Sequence, residues 1–146
     1  MAHALRRYGC LLKLYYPEWN SAEVAAAVAG EAVCLTALHE LERRRRWNLK
    51  VFRSEAAPEQ AAAARAAVEE DVRAGKLVRV PCDWAGALRK ARELATRHSA
   101  VTGCRALDAL HCATAVLLGP LEFLSTDARQ LALATAAGLT LRPVNP

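Results

Sequence analysis

The sequence predicts an α/β fold: a sandwich of helices on a mainly parallel sheet. Three observations carry this expectation. Capped helical segments alternate along the chain with apolar runs of strand length. Several connections between them are only a few residues long, the habit of α/β units. The 146 residues are 53% hydrophobic and 24% charged, enough for one domain, residues 1–146, with a core of its own.

The elements follow in order. "NSAEVAAAVAG" predicts a helix capped by Asn20 or Ser21, with Glu23 in its first turn and Gly30 at its end. "EAVCL" is short and apolar, hence a strand. Thr36 caps "TALHELERRRRWNLKVF", a second helix. "APEQAAAARAAVEEDVRAGK" is a third, opened by Pro58 and stopped by Gly75. "LVRV" predicts a strand closed by Pro81, and "WAGALRKARELATRHSA" a fourth helix. "CRALDALHCATAVLLG" is a fifth, ending at Gly119-Pro120. "LEFLS" is a strand, "TDARQLALATAAG" a helix capped by Thr126 or Asp127, and "LTLRPV" the last strand. In such sheets ligands sit beyond the carboxyl ends of the strands.

Composition narrows the function classes. No apolar run reaches the eighteen or so residues of a membrane helix, and the charged N-terminus lacks the apolar stretch of a signal peptide. The five cysteines (Cys10, Cys34, Cys82, Cys104 and Cys112) include no CxxC pair. Reduced thiols in a cytoplasm are expected rather than a disulfide frame or a zinc knuckle. The net charge is +5, and arginine, the better bidentate reader of phosphate, outnumbers lysine. That balance leans towards nucleic acid. No Gly-rich phosphate loop or DxD pair is present, so P-loop and aspartyl-phosphate chemistry find no support.

Three acids are placed to share one end of the sheet. Asp127 follows "LEFLS", Glu42 lies two turns into the helix after "AVCL", and Asp108 opens an apolar helix. Clustered carboxylates repel and raise one another's pKa. A hard divalent cation relieves this, and Mg²⁺ prefers oxygen ligands. Each acid also has a plainer reading: Asp127 as an N-cap, Asp108 as a first-turn acid on the helix dipole, Glu42 as a surface acid beside arginines.

"PEWNSAEV", "LTALHELE", "LDALHCATA" and "FLSTDARQLA" together resemble successive segments of PIN domains, specifically the VapC-type toxin ribonucleases, over about Leu11 to Leu141. The resemblance implies a three-layer α/β/α fold. It also implies RNA hydrolysis with Mg²⁺ or Mn²⁺ held by four acids, a homodimer, and a VapB-like antitoxin partner covering the cleft. Carried over, the second to fourth acids are Glu42, Asp108 and Asp127, both as metal ligands and as catalytic residues. Glu42 is chosen over Glu40 because it precedes the part of the helix occupied here by "RRRRW". Asp108 is then expected to be compensated by metal rather than by a protein cation.

The family's first acid falls on Arg7. A guanidinium there would sit among the three carboxylates and compete with the cation. That departure supplies a second reading, a catalytically impaired PIN domain that binds RNA or antitoxin. "ERRRRW" reads either as a solvated helix end or as a phosphate grip through Arg44 and Arg45 with Trp47 stacking on a base. Arg105 and Arg129 either contact RNA phosphate or balance the acids. His111, one turn after Asp108, is either a core histidine or a general base.

Overall fold

The computed structural model describes residues 7–9, 21–119, 122–142 and 144. Residues 10–20, with Cys10 and the candidate cap Asn20, lie outside the described residues. The elements are β1 (Arg7–Gly9), α1 (Ser21–Val28), β2 (Val33–Leu35), α2 (Ala37–Phe52), α3 (Pro58–Arg73), β3 (Leu77–Arg79), α4 (Trp84–Thr102), α5 (Ala106–Leu118), β4 (Glu122–Leu124), α6 (Ala128–Ala136) and β5 (Thr140–Leu141).

Local chemistry explains most boundaries. Thr36 caps α2: its hydroxyl accepts from the His39 N–H at 3.4 Å, and its own N–H donates to His39 Nδ1 at 3.1 Å. Pro58 opens α3, where the Ala57 N–H donates to Gln60 Oε1 at 2.7 Å. Asp83 caps α4 through the Gly86 N–H at 3.0 Å, and Gly103 ends that helix in the left-handed conformation. Of the two caps expected for α6, Asp127 is the one used: its Oδ1 accepts from the N–H groups of Arg129 and Gln130 at 2.9 and 3.2 Å.

The five strands form one sheet in the order β3-β2-β1-β4-β5, every neighbouring pair parallel. The chain runs outward from β1 through β2 to β3, then returns to the other side of β1 for β4 and β5. The order therefore reverses at β1, and open parallel sheets bind ligands beyond the carboxyl ends at such a point.

β1 was not among the segments that read as strands, because "RYG" has no apolar alternation. It forms by pairing on both sides, with Tyr8 fully buried as its core contribution. Gly9 has φ +115°, and a Cβ there would stand 2.0 Å from the Leu124 carbonyl oxygen. Only glycine fits that close approach.

Three apolar clusters hold the elements together. Tyr8, Phe123, Leu133 and the small residues Ala109, Cys112, Ala113 and Ala115 pack β1 and β4 with α4, α5 and α6. Val33, Leu35, Leu77 and Val68 join β2 and β3 to α3. Trp47, Ala61 and Ala64 join α2 to α3. No helix among the described residues is long and apolar enough to cross a membrane.

Candidate functional site

The three predicted acids are carried by three elements: Glu42 by α2, Asp108 by the first turn of α5, and Asp127 by the β4–α6 junction. Asp108 is the most enclosed, its side chain 3% exposed. Its Oδ2 accepts from the Arg105 backbone N–H at 2.8 Å and from Arg105 Nε at 3.1 Å. Its Oδ1 accepts from Arg105 Nη2 at 3.2 Å and Gln130 Nε2 at 3.4 Å. The same Nη2 donates to Asp127 Oδ2 at 3.0 Å. Thus one nitrogen bridges an oxygen of each aspartate, while the other Asp127 oxygen caps α6.

The cation on Asp108 here is Arg105, which matches the reading of that arginine as balancing the acids. Its presence corrects the expected mutual raising of pKa. Burial pushes the Asp108 carboxyl up, but the Arg105 hydrogen bonds and charge outweigh burial and hold it below the ordinary value. Arg105 is held above its own, first by its hydrogen bond to Asp108 and then by smaller attractions to Asp127 and Glu42. All three acids therefore act on one guanidinium. Among the described residues, no three His, Cys, Asp or Glu side chains stand grouped to hold a metal ion as the side chains lie.

Glu42 is paired with a histidine. Its Oε1 accepts from His111 Nε2, and His111 Nδ1 lies 2.8 Å from the Tyr8 hydroxyl. A carboxylate oxygen only accepts, so His111 Nε2 is the donor to Glu42. His39 completes this cluster, its ring centroid 4.6 Å from Tyr8 and 5.1 Å from His111. Burial and then the neighbouring His111 hold the His39 pKa well below the usual value, so it is neutral. Its Nδ1 accepts from Thr36, and its buried Nε2 has no hydrogen-bond partner among the described residues. Burial likewise raises the Tyr8 hydroxyl far above its ordinary pKa.

Glu40, the rejected alternative in "HELE", points elsewhere and pairs with Arg79 at 3.0 Å. The four arginines of "ERRRRW" divide as helical spacing requires: Arg43 is buried, Arg44 and Arg45 are exposed, and Arg46 is half-buried. Trp47, a base-stacking residue in one of the two readings of this run, packs in the core against Ala61 and Ala64. Arg129 is exposed beside Asp127. Arg7 opens β1 in register with Val33 and Glu122, the first residues of β2 and β4. Its backbone thus starts at the amino row of the sheet, and its side chain lies outside the described residues. The guanidinium found between the aspartates belongs to Arg105. Sequence reasoning did not single out Tyr8, His39 or Gln130 for the site. Tyr8 and His111 are 103 positions apart, and no local pattern marks them.

The chain was compared with family models and with curated proteins, and neither comparison gave a match.

Proposed function

We propose that this protein is a metal-dependent ribonuclease of the PIN-domain, VapC toxin type, with the three-layer α/β/α sandwich of that family. The observation that carries the reading is the convergence of Asp108 and Asp127 on a single cationic nitrogen, with Glu42 acting on the same guanidinium. Support for the fold comes from a parallel sheet whose order reverses at its central strand, and from acids carried at that site by α2, α5 and the end of β4.

The donor set fits Mg²⁺ or Mn²⁺. It consists of carboxylate oxygens, two of them already sharing one positive centre, which is the chemistry these ions select. Asp108 and Asp127 would hold the ion, with Glu42 as the third acid. A bound divalent ion supplies the activation of water for phosphodiester hydrolysis. The chain's own residues do the rest. His111 fixes Glu42, the α5 and α6 caps fix the two aspartates, and Arg44, Arg45 and Arg129 present exposed cations to the RNA backbone. By the same likeness the chain pairs as a homodimer and meets a VapB-like antitoxin at the acidic cleft.

The test is thermal unfolding of metal-free protein titrated with Mn²⁺ and Mg²⁺, beside cleavage of an unstructured RNA. At a hundredfold excess over the dissociation constant, metal adds about 2.7 kcal/mol of stability. Asp108→Asn abolishes both that gain and cleavage. A second reading, a catalytically impaired domain that binds RNA or antitoxin, is favoured by the internal partners already holding the acids. Its signature is a flat melting temperature across the titration with RNA binding retained.

A further inference from the structure

We infer that Arg105 is a displaceable internal counter-ion: it closes the Asp108–Asp127 pair in the metal-free chain and, when a divalent cation takes its place, is released to grip an RNA phosphate. The inference rests on the nuclease reading above and concerns how that site opens.

The argument is an asymmetry in how the partners are held. The two aspartates are fixed by groups that do not depend on the Arg105 side chain. Asp108 is anchored by the Arg105 backbone N–H at 2.8 Å and by Gln130, and Asp127 by the N–H groups of Arg129 and Gln130. The Arg105 side chain is 61% exposed, against 3% for Asp108. A long, wet side chain on two carboxylates held by backbone N–H groups is the member that can move, and its pair with Asp127, exposed on both sides, is of the weak kind. When it moves, both carboxylates stay in place on their backbone donors. The released guanidinium stays tethered at the first residue before α5, next to the site. Its planar fork suits a phosphate as well as it suits a carboxylate.

The experiment uses the full chain, stripped of metal, as wild type, Arg105→Gln and Asp108→Asn. Arg105→Gln keeps the backbone N–H that caps α5, so folding is retained and is checked by melting in EDTA. Mn²⁺ affinity is measured by calorimetry, and binding of a short single-stranded RNA by anisotropy. The expected result is about tenfold tighter Mn²⁺ binding by Arg105→Gln, equal to 1.4 kcal/mol, with weaker RNA binding in the presence of Mn²⁺. Mn²⁺ binding by Arg105→Gln but not by wild type supports the inference more strongly. Equal Mn²⁺ affinity in wild type and Arg105→Gln, with loss in Asp108→Asn, overturns the counter-ion role and leaves the nuclease reading standing. No Mn²⁺ binding in any form overturns both.

Discussion

Replacing Asp108 by asparagine in the metal-free protein separates two pictures of the site. If the clustered acids mainly repel, removing one charge stabilises the fold. If Arg105 and the α5 cap satisfy Asp108, removal destabilises it. The structure favours the second outcome. Four donors converge on the two Asp108 oxygens, and two of those donors face each oxygen. Asparagine offers one oxygen and one NH₂, so whichever way it turns, two donors meet a donor. Turned with its oxygen towards the Arg105 N–H, asparagine keeps the α5 cap bond. The exposed guanidinium recovers water, so the lost ion pair contributes at most about 1 kcal/mol. A buried amide left facing donors adds a penalty on the order of 1 kcal/mol. The sum is roughly 1–2 kcal/mol. At roughly 3 °C per kcal/mol for a domain of this size, the melting temperature falls by about 3–6 °C in EDTA.

The pH dependence has a definite sign. The folded-state pKa of Asp108 is lowered, so the unfolded chain takes up its proton first as pH falls. The stabilisation from Asp108 is fully present above the unfolded value, throughout pH 5 to 8. It is lost as pH falls through the depressed folded value, below the ordinary aspartate range. The gap between wild type and Asp108→Asn, measured by urea unfolding, is therefore constant from pH 7 to pH 5 and narrows towards pH 3. An Asp108→Asn protein that melts higher than wild type in EDTA, or a gap that widens with acid, would refute this account.

Three further outcomes follow. Gly9→Ala places a methyl group 2.0 Å from the Leu124 carbonyl oxygen at φ +115° and should leave the chain unfolded or molten by circular dichroism. Tyr8→Phe removes the buried hydrogen bond between the Tyr8 hydroxyl and His111 Nδ1 and should cost about 1–2 kcal/mol in chemical denaturation. Arg44→Gln with Arg45→Gln should change stability by no more than about 0.5 kcal/mol, since both are exposed. The pair should also flatten the salt dependence of single-stranded RNA binding by a slope of about 1.4; an unchanged slope would make the arginine run a solvated helix end.

Much of the fold was legible because its signals are local. Caps at Thr36 and Asp127, Pro58 at a helix start and Gly75 at a helix end all act within four residues; Asp83 and Gly103 act as locally and were passed over. Two features were legible only in part. The "RALD" stretch places a guanidinium and a carboxylate at i,i+3 across a helix start, and of the two readings left open for Arg105, balancing the acids is the one seen here. His39, Arg43 and Trp47 recur every fourth residue, the spacing of one helix face, and that face is the buried one. What was not legible is long-range. β1 carries no strand pattern of its own, and the Tyr8–His111–Glu42 chain joins three elements far apart in sequence. Such contacts are set by sheet order, which no short window contains.

Charge at the site connects these observations. Tyr8 and His39, packed against each other and His111, are kept neutral by burial, so they add no charge of their own. Counting the three carboxylates and the Arg105 guanidinium alone leaves two negative charges. A divalent ion in place of the guanidinium leaves one, and the freed Arg105 meets the charge that an RNA phosphate brings with it. The exchange therefore lowers the charge left in the cleft while admitting an anionic substrate. A monovalent cation in the same place would leave the charge of the acids unchanged and gain nothing from the exchange. On this reasoning Mn²⁺ or Mg²⁺ raises the melting temperature at concentrations where K⁺, matched for ionic strength, does not. An equal rise with K⁺ would mean that the cleft responds to ionic screening alone.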